Sequence, residues 1–63
     1  MSDFSDEEKL ACIERELSIR RGVYALRVRQ GLMSDSQRWR EIHLMEAIAR
    51  DYRARVQPDL ALS

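Results

Sequence analysis

A chain of 63 residues has room for one domain, and at that size too little surface is buried for comfortable stability without a staple. Its eleven basic and eleven acidic side chains cancel, which excludes a molecule drawn as a whole to nucleic acid or membrane, and its one cysteine excludes an internal disulfide. No stretch approaches the roughly 20 apolar residues of a membrane span, and the acidic amino-terminal residues lack the basic flank and apolar core of a secretory signal. The expected location is therefore cytoplasmic and reducing.

Ser5 followed by Asp6, Glu7 and Glu8 has the form of a capping box, in which the serine oxygen accepts from a free backbone N–H and Glu8 reaches back. A first helix is predicted from there over about 6–30. Its acids lie at the positive end of the helix dipole, and Arg20, Arg21, Arg27 and Arg29 lie toward the negative end. Gly31 is a natural left-handed cap after Gln30, and Leu32 just beyond it is placed to fold back onto the last turn.

Ser34 with Gln37 repeats the capping pattern and opens a second helix, predicted over about 35–56, because Pro58 disfavours the helical state at Gln57. The connection is so short that the two helices must be antiparallel neighbours. The fold class is all-α: one helical-hairpin domain spanning 1–63, with a short tail over 57–63. Leu60 and Leu62 in that tail could drape over a helix seam, strap onto a partner or stay unordered.

The second helix carries one apolar seam, Ile42, Met45, Ala49, Tyr52 and Val56, flanked by Trp39 and Ile48. The first carries two. Leu10, Ile13, Leu17, Tyr24 and Val28 gather on one side, while Cys12, Ile19, Val23 and Leu26 gather on the opposite side. One hairpin partner can cover only one of these stripes, so the second is expected to be exposed and to serve as a dimer interface, giving a four-helix arrangement. Gly22 lies beside this second stripe and is either a close-approach point for another backbone or a tolerated helix glycine. Residues 1–16 carry six acids against Lys9 and Arg15, whereas residues 17–30 carry four arginines and no acid, so two first helices would pair antiparallel.

Enzymatic chemistry has little support. His43 is the only imidazole, and it falls near the opposite end of the hairpin from Cys12, so no nucleophile and base are expected to meet within one chain. His43 and Cys12 cannot supply the three or four ligands of a zinc site, and no calcium loop, phosphate loop or dinucleotide fingerprint is present. The expectation is a non-enzyme with no metal and no cofactor, in which Cys12 is a small interface hydrophobe and His43 a solvated helix residue.

The turn end is more distinctive. Arg20, Arg21, Arg27, Arg29, Arg38 and Arg40 fall between positions 20 and 40, opposed only by Asp35, and Trp39 sits among them. Trp39, Arg38, Arg40, Arg27 and Arg29 are the candidate partner-binding residues. They suit docking to an acidic protein surface, or phosphate contact with Trp39 stacked on a base. Alternatively the arginines neutralise a helix end, and Trp39 closes the hairpin against Val28 and Leu32.

The stretch from Glu14 to Tyr52 includes Arg20-Arg21, Val23-Tyr24, Arg27-Val28, Gly31, Met33, Glu41-Ile42 and Met45-Glu46-Ala47-Ile48. It resembles a group of short orphan helical proteins of tailed phages and prophages of Proteobacteria, with Ala25 standing where that pattern has a proline after the tyrosine. The resemblance covers about two-thirds of the chain. Small early phage proteins of this kind include inhibitors of host proteins, such as an anti-activator that blocks a quorum-sensing transcription factor. What the resemblance implies is a homodimeric inhibitor or regulator acting on a host protein in the bacterial cytoplasm; the alternative is a small nucleic-acid-binding regulator.

Overall fold

The computed structural model describes residues 3–57, so the tail leucines Leu60 and Leu62 lie outside the described residues. Two helices account for nearly all of it: α1, Asp6–Arg29, and α2, Asp35–Val56. At 1.5 Å per residue they are rods of about 36 and 33 Å, packed as an antiparallel hairpin.

Local chemistry sets the start of each helix and the end of α1. At the start of α1 the Glu8 backbone N–H donates to Ser5 Oγ at 3.1 Å, and the Ser5 N–H donates to Glu8 Oε1 at 3.2 Å. α2 repeats the arrangement, with Gln37 N–H to Ser34 Oγ at 3.1 Å and Ser34 N–H to Gln37 Oε1 at 3.0 Å. Each box satisfies donors that a helix N-terminus leaves without intrahelical partners. Ser34→Ala should therefore cost about 1 kcal/mol, read as a fall in Tm of about 4–8 °C in a domain this small. An unchanged melt would mean that packing alone holds the start of α2.

α1 ends one residue short of the expected boundary, with Gln30 as its cap and Gly31 at φ 76°. The Leu32 N–H donates to the Arg27 carbonyl at 2.9 Å, and the Gly31 N–H to the Val28 carbonyl at 3.1 Å. This pair is the Schellman pattern, and it needs the left-handed backbone that glycine adopts without a Cβ penalty. The hydrophobic contact expected of Leu32 does not form. Leu32 is 75% exposed.

The core is a single line of side chains between two rods. Leu10, Leu17 and Tyr24, spaced by sevens on α1, are buried, and Ala49 on α2 is the most enclosed residue at 2% exposure. Ile13 and Val28 on α1, and Ile42, Met45, Tyr52 and Val56 on α2, are half-buried at its margins. The small Ala49 lets the helices approach closely at mid-length, where larger residues would hold them apart. Two helices have no third element to roof their outer faces, so a longer roster of enclosed residues is geometrically impossible.

Candidate interaction surfaces

The two flanks of the groove between the helices differ in character. On one, Arg21 Nη2 donates to Glu46 Oε2 at 2.5 Å, and Arg53 Nη2 lies 3.9 Å from Glu14 Oε2. Both pairs cross from α1 to α2 and are compatible with the antiparallel register. All four side chains are substantially solvated, so each pair contributes at most about 1 kcal/mol. The polar hollow here is lined by these residues with Arg50, over Leu17 and Ala49.

Toward the turn the same flank carries Trp39. Its indole stacks on the His43 ring, with centroids 4.2 Å apart and planes inclined by 28°. His43 Nδ1 lies 3.5 Å from Glu46 Oε1, whose other oxygen holds Arg21. A continuous chain of contacts thus runs Trp39, His43, Glu46, Arg21. His43 was expected as a solvated residue; it is exposed, yet it is engaged on both sides, by a ring and by a carboxylate. Trp39 itself is 64% exposed. Of the expected closure against Val28 and Leu32, the Leu32 side has little contact area, since Leu32 is 75% exposed, while Val28 is half-buried. Arg21, Asp35, Arg38 and Ile42 complete a shallow hollow beside the stacked rings.

The remaining arginines of the turn end do different things. Arg27 lies with its guanidinium carbon 5.9 Å from the Tyr24 ring centroid, within cation–π range. Arg20 sits at the same distance on that ring and also donates from Nη1 to the Tyr24 hydroxyl at 2.9 Å. That hydrogen bond raises the Arg20 guanidinium above its ordinary pKa, with the Tyr24 oxygen and then the Glu16 and Glu41 carboxylates adding to it. Arg27, Arg29, Arg38 and Arg40 enter no ion pair among the described residues.

The opposite flank is apolar at its centre. Cys12 and Ile13 of α1 face Ile48 and Tyr52 of α2 across a hollow bordered by Phe4, with Glu8, Lys9, Arg15 and Glu16 at its rim. Tyr52 is flanked by Arg55, 5.1 Å from its ring centroid, and by Lys9, 5.8 Å away. Along α1 the second stripe continues from Cys12 through Ile19, Val23 and Leu26, and the last three are 51%, 37% and 46% exposed. On α2, Leu44 at 52% and Ile48 at 38% extend the apolar surface. Leu44 was missed in the sequence because it falls outside the seam spacing; its position four residues before Ile48 on one helical face is the signal that marks it. A Cβ added at Gly22 would meet nothing within 4 Å, so the backbone beside this stripe is open to approach.

The sequence-predicted residues thus separate into two sets. Cys12, Ile19, Gly22, Val23 and Leu26 are all exposed on α1. Trp39, Arg38, Arg40, Arg27 and Arg29 cluster at the turn end in chain position, but only Trp39 and Arg38 line a common hollow among the described residues. Cys12 and His43 line separate hollows. No group of three or more His, Cys, Asp or Glu side chains suited to a metal ion occurs among the described residues, and no described helix is long and apolar enough to cross a membrane. Comparison with protein-family models, curated proteins and solved structures finds no match to this chain.

Proposed function

We propose that this hairpin is a non-enzymatic protein-interaction module, which pairs with a second copy of itself into a four-helix arrangement and uses its turn end to hold a host protein as an inhibitor or regulator. The observation that carries this reading is an imbalance in where the apolar residues lie. Four residues form the buried core, while Ile19, Leu26, Leu32, Trp39 and Leu44 each stand 46% or more exposed. The stripe of Ile19, Val23 and Leu26 along one face of α1 is the kind of exposed apolar strip that marks an interaction site. The resemblance to phage and prophage proteins supplies the setting, a bacterial host whose proteins are the targets.

Trp39 is the anchor in this reading. Tryptophan and arginine are the residues most often found at interface hot spots, and Trp39 is held in a defined pose by its stack on His43 with Arg38 beside it. Being 64% exposed, it contributes little to the core, so Trp39→Ala should leave helix content and Tm nearly unchanged. Capture of the host partner in a tagged pull-down should be lost. A variant that melts several degrees lower and still captures the partner would remove Trp39 from the binding surface.

A second reading, a nucleic-acid-binding regulator, is favoured by one observation: Arg27, Arg29, Arg38 and Arg40 are uncommitted to carboxylates among the described residues. Phosphate contact makes affinity fall steeply with salt, with a log–log slope of about −0.9 per contact on duplex DNA. Titration of mixed-sequence DNA and RNA between about 50 and 200 mM salt separates the readings. The protein-binding module should show no retention at the low-salt end, whereas a steep slope that flattens in Arg38→Ala would establish the nucleic-acid reading.

A further inference from the structure

We infer that the second copy of this chain docks on the apolar flank of the hairpin with its α1 antiparallel to the first α1, the two crossing at Ile19. This rests on the self-pairing proposed above and goes beyond it by fixing the face, the direction and the register. The face follows from the asymmetry of the hairpin. The flank of Arg21, Glu46, Glu14 and Arg53 is already satisfied by ion pairs, whereas the flank of Cys12, Ile13, Ile48 and Tyr52 is apolar at its centre and charged only at its rim. Burying the second flank leaves its charges, Glu8, Lys9, Arg15 and Glu16, at the rim; burying the first would strip solvent from four at its centre.

The direction follows from charge along α1. Helix dipoles laid side by side repel when parallel and attract when antiparallel. The stripe runs from Cys12 to Leu26, and its midpoint is Ile19, the most exposed of its three large members at 51%. With Ile19 against Ile19 of the second copy, Cys12 meets Leu26, Glu8 comes beside Arg29 and Glu16 beside Arg20. A parallel pair would set Glu8, Arg15, Glu16, Arg20 and Arg29 each against its own copy. The antiparallel register leaves Lys9 near Arg27 and Arg29, and Arg20 two positions from its own copy; Arg27 is drawn aside over Tyr24, and Arg20 is turned onto the Tyr24 hydroxyl. Gly22, three residues from the crossing point and open on its surface, lets the two backbones come close there.

Disulfide trapping reads this register directly. In the antiparallel pair the two Cys12 residues lie seven residues either side of the crossing, about 21 Å apart along the axis, far beyond the reach of a disulfide. The wild-type chain under mild oxidant should therefore sediment at twice 7.4 kDa and yet run as a single chain on non-reducing gels. Cys12→Ser combined with Ile19→Cys should sediment the same way and cross-link nearly completely, while Cys12→Ser with Val23→Cys should not cross-link. A dimer in which native Cys12 closes the disulfide, or in which Ile19→Cys stays open, overturns the register and leaves self-pairing standing. A wild-type chain that sediments at 7.4 kDa overturns both.

Discussion

Leu17→Ala should remove much of the hairpin's stability and lower its urea midpoint sharply. Leu17 is 6% exposed and lies at the centre of the line Leu10, Leu17, Tyr24, facing Ala49 across the groove. Truncating a buried leucine costs about 2–5 kcal/mol, because the transfer free energy is lost and the cavity collapses only in part. A chain of this length has on the order of 3–9 kcal/mol in total, so the loss is comparable with the whole. Ala49 offers no bulk to fill the gap, and the flanking Arg21 and Arg50 would have to leave water to do so. Far-ultraviolet circular dichroism against urea measures the effect. A midpoint within error of the parent would mean that the line of sevens is not what holds the helices together.

Ile19→Glu should give the opposite signature. Ile19 is only two residues from Leu17 but on the other side of α1, 51% exposed in the single hairpin. An exposed substitution of this kind changes the stability of one chain by about 0.5 kcal/mol or less. At the crossing point of two α1 helices, however, it places an unpaired carboxylate against its own copy in a surface about to lose water, which costs at least about 3 kcal/mol. Self-affinity should fall by about 100-fold or more. Sedimentation equilibrium would then read a single chain at concentrations where the parent is paired, with helix content retained if the hairpin is stable by itself. A variant that sediments as the parent does would show that the stripe is not the contact.

How far these surfaces could be read without coordinates depends on the range of the interactions that make them. Ser5, Ser34 and Gly31 announce the helix boundaries because capping is decided within three or four residues, and the observed bonds are those that the spacing implies. The buried stripe of α1 and the seam of α2 were legible for a related reason, since period alone assigns a side chain to a face. Which groups meet across the groove was not legible. Arg21 and Glu46 are 25 residues apart in the chain, and their pairing depends on the register of two rods, which the turn determines only to within a helical step. The pose of Trp39 was hidden for the same reason. Closure over Leu32 and stacking on His43 are both open to an exposed ring near a helix start, and the observed pose is the stack, with His43 also beside Glu46. The exposure of Leu32 was likewise not legible, because the capping pattern places its backbone but not its side chain.

The compact turn over 30–34, closed at one end by the Gly31 pattern and opened at the other by the Ser34 box, also sets an expected order of assembly, to be tested by amide exchange. Its hydrogen bonds join residues at most five apart, so they form within the time of a short loop closure, on the order of 10–100 ns. From that nucleus the rods can zip outward, through Arg21 with Glu46, then Glu14 with Arg53, and last Asp6 with Arg55 at 4.0 Å. Each step adds a contact whose loop has already been closed by the one before it, which is the arrangement of contacts that folds fastest. Opening runs the same path backwards. Amide exchange should accordingly be quickest where the helices diverge from the turn, at the Asp6 and Val56 ends, and slowest around Tyr24 and Ile42.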